Sequence, residues 1–449
     1  MGLRFERRGR ALVEESAFKR DGPLKKRYGV GLLGAGTVGG GLIRLIHEEL
    51  SHYQLPLDIQ RVGVRNLSKS RSFNLPASLL SDDLESIVED KSIDILVEAM
   101  GGLEPARTYI EKALQAGKHV VTANKYVVSE SGDYLERIAK SHGKQFLFEA
   151  SVAGAIPIIE ILREGVIPDR IHGIHAILNG TTNFILTRMS ETSESFHDAL
   201  SMAQQLGFSE PDPSFDITGK DGSQKLAILV SILKGQPCHP ADIEIRGIDF
   251  LTPMDFRFAE KNQWRIKPFA IYEEAGGEGF AMVEPILVPV NSVFANVRNE
   301  YNGLCFDCQK VGRQIFIGKG AGELPTASAV LSDLSKITSA NGSLPAVSLS
   351  RPMDGKVRFR SAVESPRLSR FYVKCLKSSD AARNRKISEI LKTVSDRVDD
   401  LEDCQASAEA LCVVTTNITR SELYRLLNSI LVFDSQAQLS WLRLLRDVA

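Results

Sequence analysis

The sequence predicts an α/β protein: a doubly wound parallel sheet, then an α+β region, then a small C-terminal unit of order βαββαβ. Three observations predict it. A short apolar stretch, Tyr28 to Leu33, runs straight into the glycine turn Gly34-Ala35-Gly36-Thr37-Val38-Gly39. Short apolar stretches then alternate with helical periods up to about residue 148, as in β-α-β units whose strands are buried on both faces. After residue 150 that alternation gives way to clustered helices and then to alternating strands.

The elements follow in order. Val38, Leu42, Leu45, Ile46 and Leu50 recur at helical spacing behind the turn. Strands are expected at Ile59 to Val64, Ile93 to Ala99, His119 to Thr122 and Gln145 to Phe148, with helices at Ala106 to Ala116 and Ser129 to His142. Four helices are expected next, near Ile156 to Arg163, Thr182 to Met189, Glu194 to Leu206 and Asp221 to Leu233, and then several strands from Phe269 to Ile317. A helix from Ala327 to Ile337 precedes a Ser/Pro/Gly-rich stretch, Asn341 to Gly355, that reads as a linker. The last unit has a strand at Phe371 to Leu376, a helix at Ala381 to Val394, two strands within Arg397 to Thr416, a helix at Ser421 to Ile430 and a strand at Gln438 to Leu444. That is the ferredoxin-like order. The expected division is an extension over 1–27, a dinucleotide-binding domain over 28–148 completed by 319–340, a catalytic and dimerisation domain over 149–318, a linker over 341–367 and the last unit over 368–449.

Composition excludes several classes. The chain has 449 residues, is 43% hydrophobic and 25% charged, and carries a formal net charge of −1. Two or three domains are expected. Nothing in the charge points to nucleic acid or a membrane surface, and no apolar run approaches a membrane span. The first 27 residues are basic but lack an apolar core and contain Glu6, Glu14 and Glu15. They read as a solvated extension of a cytoplasmic protein, not a secretory or transit peptide. The six cysteines are scattered, which suits a reducing compartment. Cys305 and Cys308 form a lone C-x-x-C in strand-like sequence, where i and i+3 face opposite ways, so no metal is expected there. His172 and His175 read as structural.

The glycine turn has the form G-x-G-x-x-G after a strand and before a helix, the context that makes it a dinucleotide site. Gly34 allows the tight turn, Gly36 lets the backbone approach a pyrophosphate, and Gly39 lets helix and strand pack. The helix start, with Thr37 and Val38, offers N–H groups to the phosphates. The second strand ends in Val64-Arg65-Asn66 with Lys69 and Arg71 beyond, and no acid. An acid there would hold the ribose 2′-hydroxyl of NAD. Arg65 can hold a 2′-phosphate, so NADP(H) is favoured over NAD(H). The other reading is a solvated Arg65 lying on the adenine.

In the helix after Gly219, Lys225, Ile228, Leu229, Ile232 and Leu233 share one face. A buried ammonium needs a partner, and Asp221 stands one turn earlier. Such a pair can orient a substrate hydroxyl or move its proton; a plain structural ion pair is the alternative. Glu210, Asp212 and Asp216 lie just upstream and suit a substrate ammonium group.

These residues are familiar together. The chain resembles homoserine dehydrogenase in seven segments from about Tyr28 to Leu334: the glycine turn, Glu98 to Ala106 (EAMGGLEPA), Lys118 to Lys125 (KHVVTANK), Phe148 to Pro157 (FEASVAGAIP), Ile177 to Ile185 (ILNGTTNFI), the acidic loop with Asp221 and Lys225, and Gly318 to Val330 (GKGAGELPTASAV). The resemblance implies interconversion of L-aspartate 4-semialdehyde and L-homoserine with NAD(P)H, on the route to threonine, methionine and isoleucine. It implies Lys125 and Lys225 at the substrate oxygen, with Lys125 also near the cofactor, and Asp221 positioning Lys225 or a water. Glu210 would hold the substrate amino group, with Gly180, Thr181 and Asp216 lining the site. The Gly320-Ala321-Gly322 turn would approach the nicotinamide. Carbonyls of Glu149, Val152, Gly154 and Ile156 would hold a sodium ion, and the protein would be a homodimer or homotetramer. Two departures stand out: Phe208 where the family usually has Tyr, and Lys220 where an apolar residue is expected. The C-terminal unit resembles an ACT regulatory domain, but its first loop, Ser378 to Asn384, lacks the family's glycine. Oligomerisation is therefore expected of it in place of amino-acid feedback. No kinase domain precedes residue 28, so a monofunctional chain is expected.

Overall fold

The computed structural model describes residues 27–53, 55–71, 75–165, 169–339, 357–395, 398–403 and 408–445. Apart from Arg27, which pairs with Asp58, the expected N-terminal extension lies outside the described residues, as does most of the expected linker.

The first layer is the parallel sheet. Its parts are β1 (Tyr28–Leu33), α1 (Thr37–Tyr53), β2 (Leu57–Gly63), β3 (Leu80–Ser81), α2 (Leu84–Glu89), β4 (Ile95–Glu98), α3 (Ala106–Gln115), β5 (His119–Thr122), α4 (Lys125–Ser141) and β6 (Phe146–Leu147). The order is β3-β2-β1-β4-β5-β6, with every pair parallel. Every residue of β1, β4 and β5 is buried, which is why these strands read as short apolar runs. The order reverses between β1 and β4, and ligands bind such sheets beyond the strand C-termini at that point.

The chain then forms α5 (Ile158–Glu160), β7 (Ile171–Ile177), α6 (Gly180–Thr192), α7 (Phe196–Gln205), α8 (Ser214–Ile217), α9 (Lys220–Lys234), β8 (Glu244–Ile245), α10 (Pro253–Lys261), β9 (Trp264–Ala275), β10 (Glu278–Pro289), β11 (Tyr301–Cys308), β12 (Gly312–Lys319) and α11 (Glu323–Ser339). The last segment gives β13 (Arg358–Arg360), β14 (Phe371–Leu376), α12 (Ala381–Leu391), β15 (Val398–Asp403), β16 (Ala408–Val414), α13 (Arg420–Phe433) and β17 (Leu439–Leu444). The sheet strands among these form a mixed sheet of order β12-β11-β7-β9-β10-β17-β14-β16-β15, with β8 and β13 also on β10. No helix among the described residues is long and apolar enough to cross a membrane.

Strand β7 is missing from the sequence expectation, for a physical reason. Its apolar residues Ile171, Ile174 and Ala176 do alternate around His172 and His175, but the run is short and carries Gly173 and two polar rings. The vacancy at Gly173 is filled from β11: a Cβ there would fall 2.9 Å from Asp307 Oδ2. The same carboxylate takes buried His175 Nε2 at 3.1 Å. Asp307 is held down to about 2, burial being outweighed by hydrogen bonds from His175 and Arg313. α10 was also unforeseen; the Thr252 and Asp255 capping box starts it.

The linker expected over 341–367 needs correction from residue 357 onward. There β13 pairs parallel with β10, and Phe359 packs edge-on against Tyr272. The C-terminal unit is also not a separate sheet. Its strands run β17-β14-β16-β15, all antiparallel, and β17 continues into β10 in parallel register, Ile286 to Arg443 and Leu287 to Leu444. One face is covered by its own helices, through Ile387, Leu423 and Ile430. The other, with Tyr372 and Leu442, packs on Phe258 of α10 and Phe184 of α6. Apolar periodicity reveals that both faces are buried but not what covers them.

Candidate active site

The glycine turn leaves the C-terminal end of β1 as expected. Gly34 has φ +96, and a Cβ there would lie 2.6 Å from the Ala99 carbonyl. A Cβ on Gly39 would lie 2.0 Å from the Gly34 carbonyl oxygen, so the turn tolerates no side chain there. Gly36 is exposed, with open space where a Cβ would point. Thr37 and Val38 open α1, whose first turn holds no acid to repel a phosphate. α11 packs on α1 through one apolar cluster containing Leu42 and Ile46 with Ala327, Val330 and Leu334. Arg65 is exposed just past β2. Arg71 is folded back on its own loop, donating to the carbonyls of Lys69 at 2.8 Å and Asn66.

The catalytic candidates meet where the starts of α4 and α9 come together. Lys125 is the first residue of α4, and Asp221 and Lys225 lie in the first turns of α9. Asp221 holds a lysine on each oxygen: Lys125 Nζ lies 3.1 Å from Oδ1 and Lys225 Nζ 2.8 Å from Oδ2. Lys225 also donates to the Leu178 carbonyl at 2.8 Å. Burial opposes ionisation of Asp221, yet the two ammonium groups and an Asn179 hydrogen bond outweigh it and hold the carboxyl well below the usual range. Lys125 is the more open of the two, its side chain 34% exposed against 12% for Lys225, and its ammonium sits 5.5 Å from the Phe215 ring centre.

Sequence reasoning missed Asn179. Its Nδ2 donates to Asp216 and to Asp221, each at 2.7 Å, while its Oδ1 caps α6 through Thr182 N. A short polar residue before a helix signals a cap, but not that the same amide fixes two carboxylates. Asp216 is pushed up by burial and by the neighbouring Asp221. Glu98, at the end of β4, is a second such residue. It is buried, accepts from Thr122 Oγ1 at 2.5 Å and Met100 N at 2.8 Å, and is pushed up by burial. It anchors the Gly101–Gly102 loop, whose Gly102 carbonyl accepts from Asn124, the cap of α4. A cleft of about 270 Å³ opens between Gly101, Gly102, Asn124 and Lys125 on one side and Phe215 and Gln224 on the other.

The remaining expected residues spread further. Thr181 Oγ1 donates to the Phe208 carbonyl at 2.6 Å and so ties the acidic loop to α6. Gly180 is pressed against Glu300, whose carbonyl lies 2.9 Å from where a Cβ would stand. Glu210 is exposed, and its carboxylate meets no partner among the described residues, while its carbonyl accepts from Gln204 Nε2 and Ser209 Oγ. Phe208 stacks at a tilt on Phe184, so its ring does hydrophobic work where a hydroxyl was expected. Lys220 is exposed at the start of α9 and does not compete for Asp221. Gly322 has φ +119 in the turn before α11. In the loop over 149–156, Ala153 and Gly154 are left-handed, at φ +58 and +52. The carbonyls of Glu149 and Ile156 accept from Val152 N and Ile158 N. The Glu149 carboxylate instead caps α5 through Ile159 N and Glu160 N, and burial beside Asp333 pushes it up to about 7.

Residues 34–149 match the family described as homoserine dehydrogenase, NAD binding domain, and residues 157–335 the one described as homoserine dehydrogenase. A homoserine dehydrogenase from Synechocystis sp. is 42% identical over 314 residues, covering 69% of this chain and 72% of that protein. One from Bacillus subtilis is 38% identical over 313 residues, with the same coverage. Among solved structures, a homoserine dehydrogenase from Thiobacillus denitrificans aligns with a TM-score of 0.83 at 33% identity, over 94% of this chain and 99% of that one. A hyperthermophilic archaeal homoserine dehydrogenase in complex with NADPH aligns with a TM-score of 0.60 at 26% identity, over 72% of this chain and 100% of that one.

Proposed function

This chain belongs to the homoserine dehydrogenase family, and from that premise we propose that Asp221, Lys125 and Lys225 are the proton-handling group of an NADP(H)-preferring enzyme. The activity is that of a homoserine dehydrogenase, an NAD(P)-dependent oxidoreductase acting on a small substrate. The observation that carries the residue assignment is the single carboxylate of Asp221 gripping both ammonium groups beside the cleft. Two lysines against one firmly ionised carboxylate leave an excess of positive charge, which favours oxygen as it becomes an alkoxide. The dinucleotide, when bound, supplies the hydride acceptor or donor, and the open Gly36 with the acid-free start of α1 suits its pyrophosphate. Lys225 spends two of its three N–H groups on Leu178 and Asp221, leaving one for the substrate oxygen. In aldehyde reduction that N–H polarises the carbonyl and then delivers the proton; in alcohol oxidation the path runs backwards. Asn179 keeps Asp221 in the rotamer that serves both lysines.

The cofactor preference rests on Arg65, exposed past β2 with no carboxylate in that loop. Arg65→Ala should raise KM for NADPH at least about tenfold more than KM for NADH, the worth of one charge-assisted phosphate contact. Equal effects on both cofactors would remove Arg65 from that role. The assay that checks the whole reading is NADPH oxidation with L-aspartate 4-semialdehyde and the reverse reaction with homoserine. Turnover with neither would defeat it.

Finer assignments belong to the same proposal. Glu210 receives the substrate ammonium group, with Gly180, Thr181 and Asp216 lining the same site. The carbonyls of Val152 and Gly154, with the remaining lone pairs of Glu149 and Ile156, suit a sodium ion, and no proton step passes through it. The C-terminal unit is a divergent ACT-like domain. Its first loop is closed by its own side chain, since Asn384 accepts from Ser378 N and donates to Ser378 O. That supports assembly over amino-acid binding there. The open edge of β12, with exposed Ile317, supports a homodimer or homotetramer. The five cysteines among the described residues are all buried, in keeping with a cytoplasmic location.

A further inference from the structure

We propose that Asn302 is a positioning residue that links the Gly320–Gly322 turn to Lys225. Asn302 sits in β11 and is fully buried. Its Nδ2 donates to the Leu178 carbonyl at 3.3 Å, the same oxygen that takes Lys225 Nζ at 2.8 Å. The peptide after Leu178 carries Asn179, which holds Asp216 and Asp221. One peptide therefore sets both the anchor of Lys225 and the carboxylate it pairs with, and Asn302 steadies that peptide from the β11 side.

The other face of the Asn302 carboxamide lies flat against Gly320. A Cβ on Gly320 would fall 2.1 Å from its Cγ and Oδ1 and 2.2 Å from its Nδ2. Gly154 presses on Gly320 from elsewhere, where a Cβ would meet its carbonyl carbon at 2.7 Å. Gly320 is thus clamped, and the turn it begins leads directly into α11, which packs on the cofactor helix α1. A shift of this turn is passed through the carboxamide to Leu178 and on to Lys225. Asn302 Oδ1 is buried without a hydrogen-bond partner. Burying an unpaired acceptor is costly, and a leucine of similar shape fills the same volume without it. An asparagine in that place makes sense as a connector, not as packing. Swapping its amide atoms would set oxygen against the Leu178 oxygen, so its orientation is determined.

The inference rests on the assignment of Lys225 to the substrate oxygen. The test is Asn302→Leu, with Asn302→Ser as the second variant should the first not fold. Steady-state kinetics in both directions, the primary isotope effect with deuterated NADPH, NADPH affinity by fluorescence and thermal melting are measured together. The expected result is a melting temperature near wild type, kcat lower by about tenfold or more, an increased isotope effect, weaker NADPH binding, and KM for homoserine within about twofold. Wild-type kcat, isotope effect and NADPH affinity in a folded variant would overturn the proposal. So would a fall in melting temperature alone, since that is what simple packing predicts. If the wild-type chain binds NADPH but does not oxidise homoserine, the Lys225 assignment fails, and unchanged NADPH affinity in the variant would then defeat the link to the turn as well.

Discussion

Lys225→Met lowers kcat by about a hundredfold to ten-thousandfold, the range for removing a positioned proton donor and its charge. The side chain is nearly buried, and two of its N–H groups are tied to Leu178 and Asp221, which fixes the direction of the third. Met keeps the volume and the apolar contacts of the stem, which lies on the face of α9 shared with Ile228 and Leu229. The fold and NADPH affinity should therefore stay close to wild type. Lys125→Met should cost less in fold and more in cofactor affinity, because Lys125 is more exposed and borders the Gly101–Gly102 loop. Parallel kcat and KM measurements on both variants separate the two. A Lys225→Met enzyme within about threefold of wild type would mean the proton travels elsewhere.

Arg420→Met should destabilise the protein by about 3–5 kcal/mol, the cost of leaving a buried carboxylate without its partner. Arg420 opens α13 and is only 5% exposed; it pairs with Glu284 of β10, 1% exposed, and with Glu244 at 2.9 Å. Burial works against its charge, but the two carboxylates prevail and its affinity for a proton is raised. One oxygen of Glu284 has no hydrogen-bond partner even with Arg420 in place, so loss of Arg420 leaves the carboxylate poorly satisfied. Urea unfolding followed by fluorescence reads the loss. The control is Arg298→Ala, whose pairing with Glu191 is about half exposed and should be worth no more than about 1 kcal/mol. The double variant Arg420→Met with Glu284→Leu should recover most of the loss, because an apolar pair of similar volume costs no desolvation. A single-variant loss below about 1 kcal/mol would show that the Arg420 pair adds little to the strand pairing and apolar packing that hold the C-terminal unit to the central sheet.

Much of the site was legible because its parts are local. The glycine turn is six consecutive residues between a strand and a helix. Asp221 and Lys225 are one helical turn apart, so their ion pair follows from periodicity alone. Asn179 and Glu98 were not legible as site residues. Each lies in a stretch that explains itself locally, as a helix cap or a strand end, and only the fold reveals what its second hydrogen bond reaches.

The sequence by itself determined the β-α-β alternation, the glycine turn between β1 and α1, the acid–lysine pair at the mouth of α9 and the order of the C-terminal unit. All of these arise from repeats of two or 3.6 residues and from the backbone freedom of glycine, which act over a few neighbours. The tertiary structure decided that Lys125, at the start of α4 and far away in sequence, takes the second oxygen of Asp221. It also decided that β7 forms around its histidines, and that β17 extends the central sheet instead of closing a separate module. Those outcomes depend on which buried charges and strand edges meet across the fold, and no local period in the chain encodes that meeting.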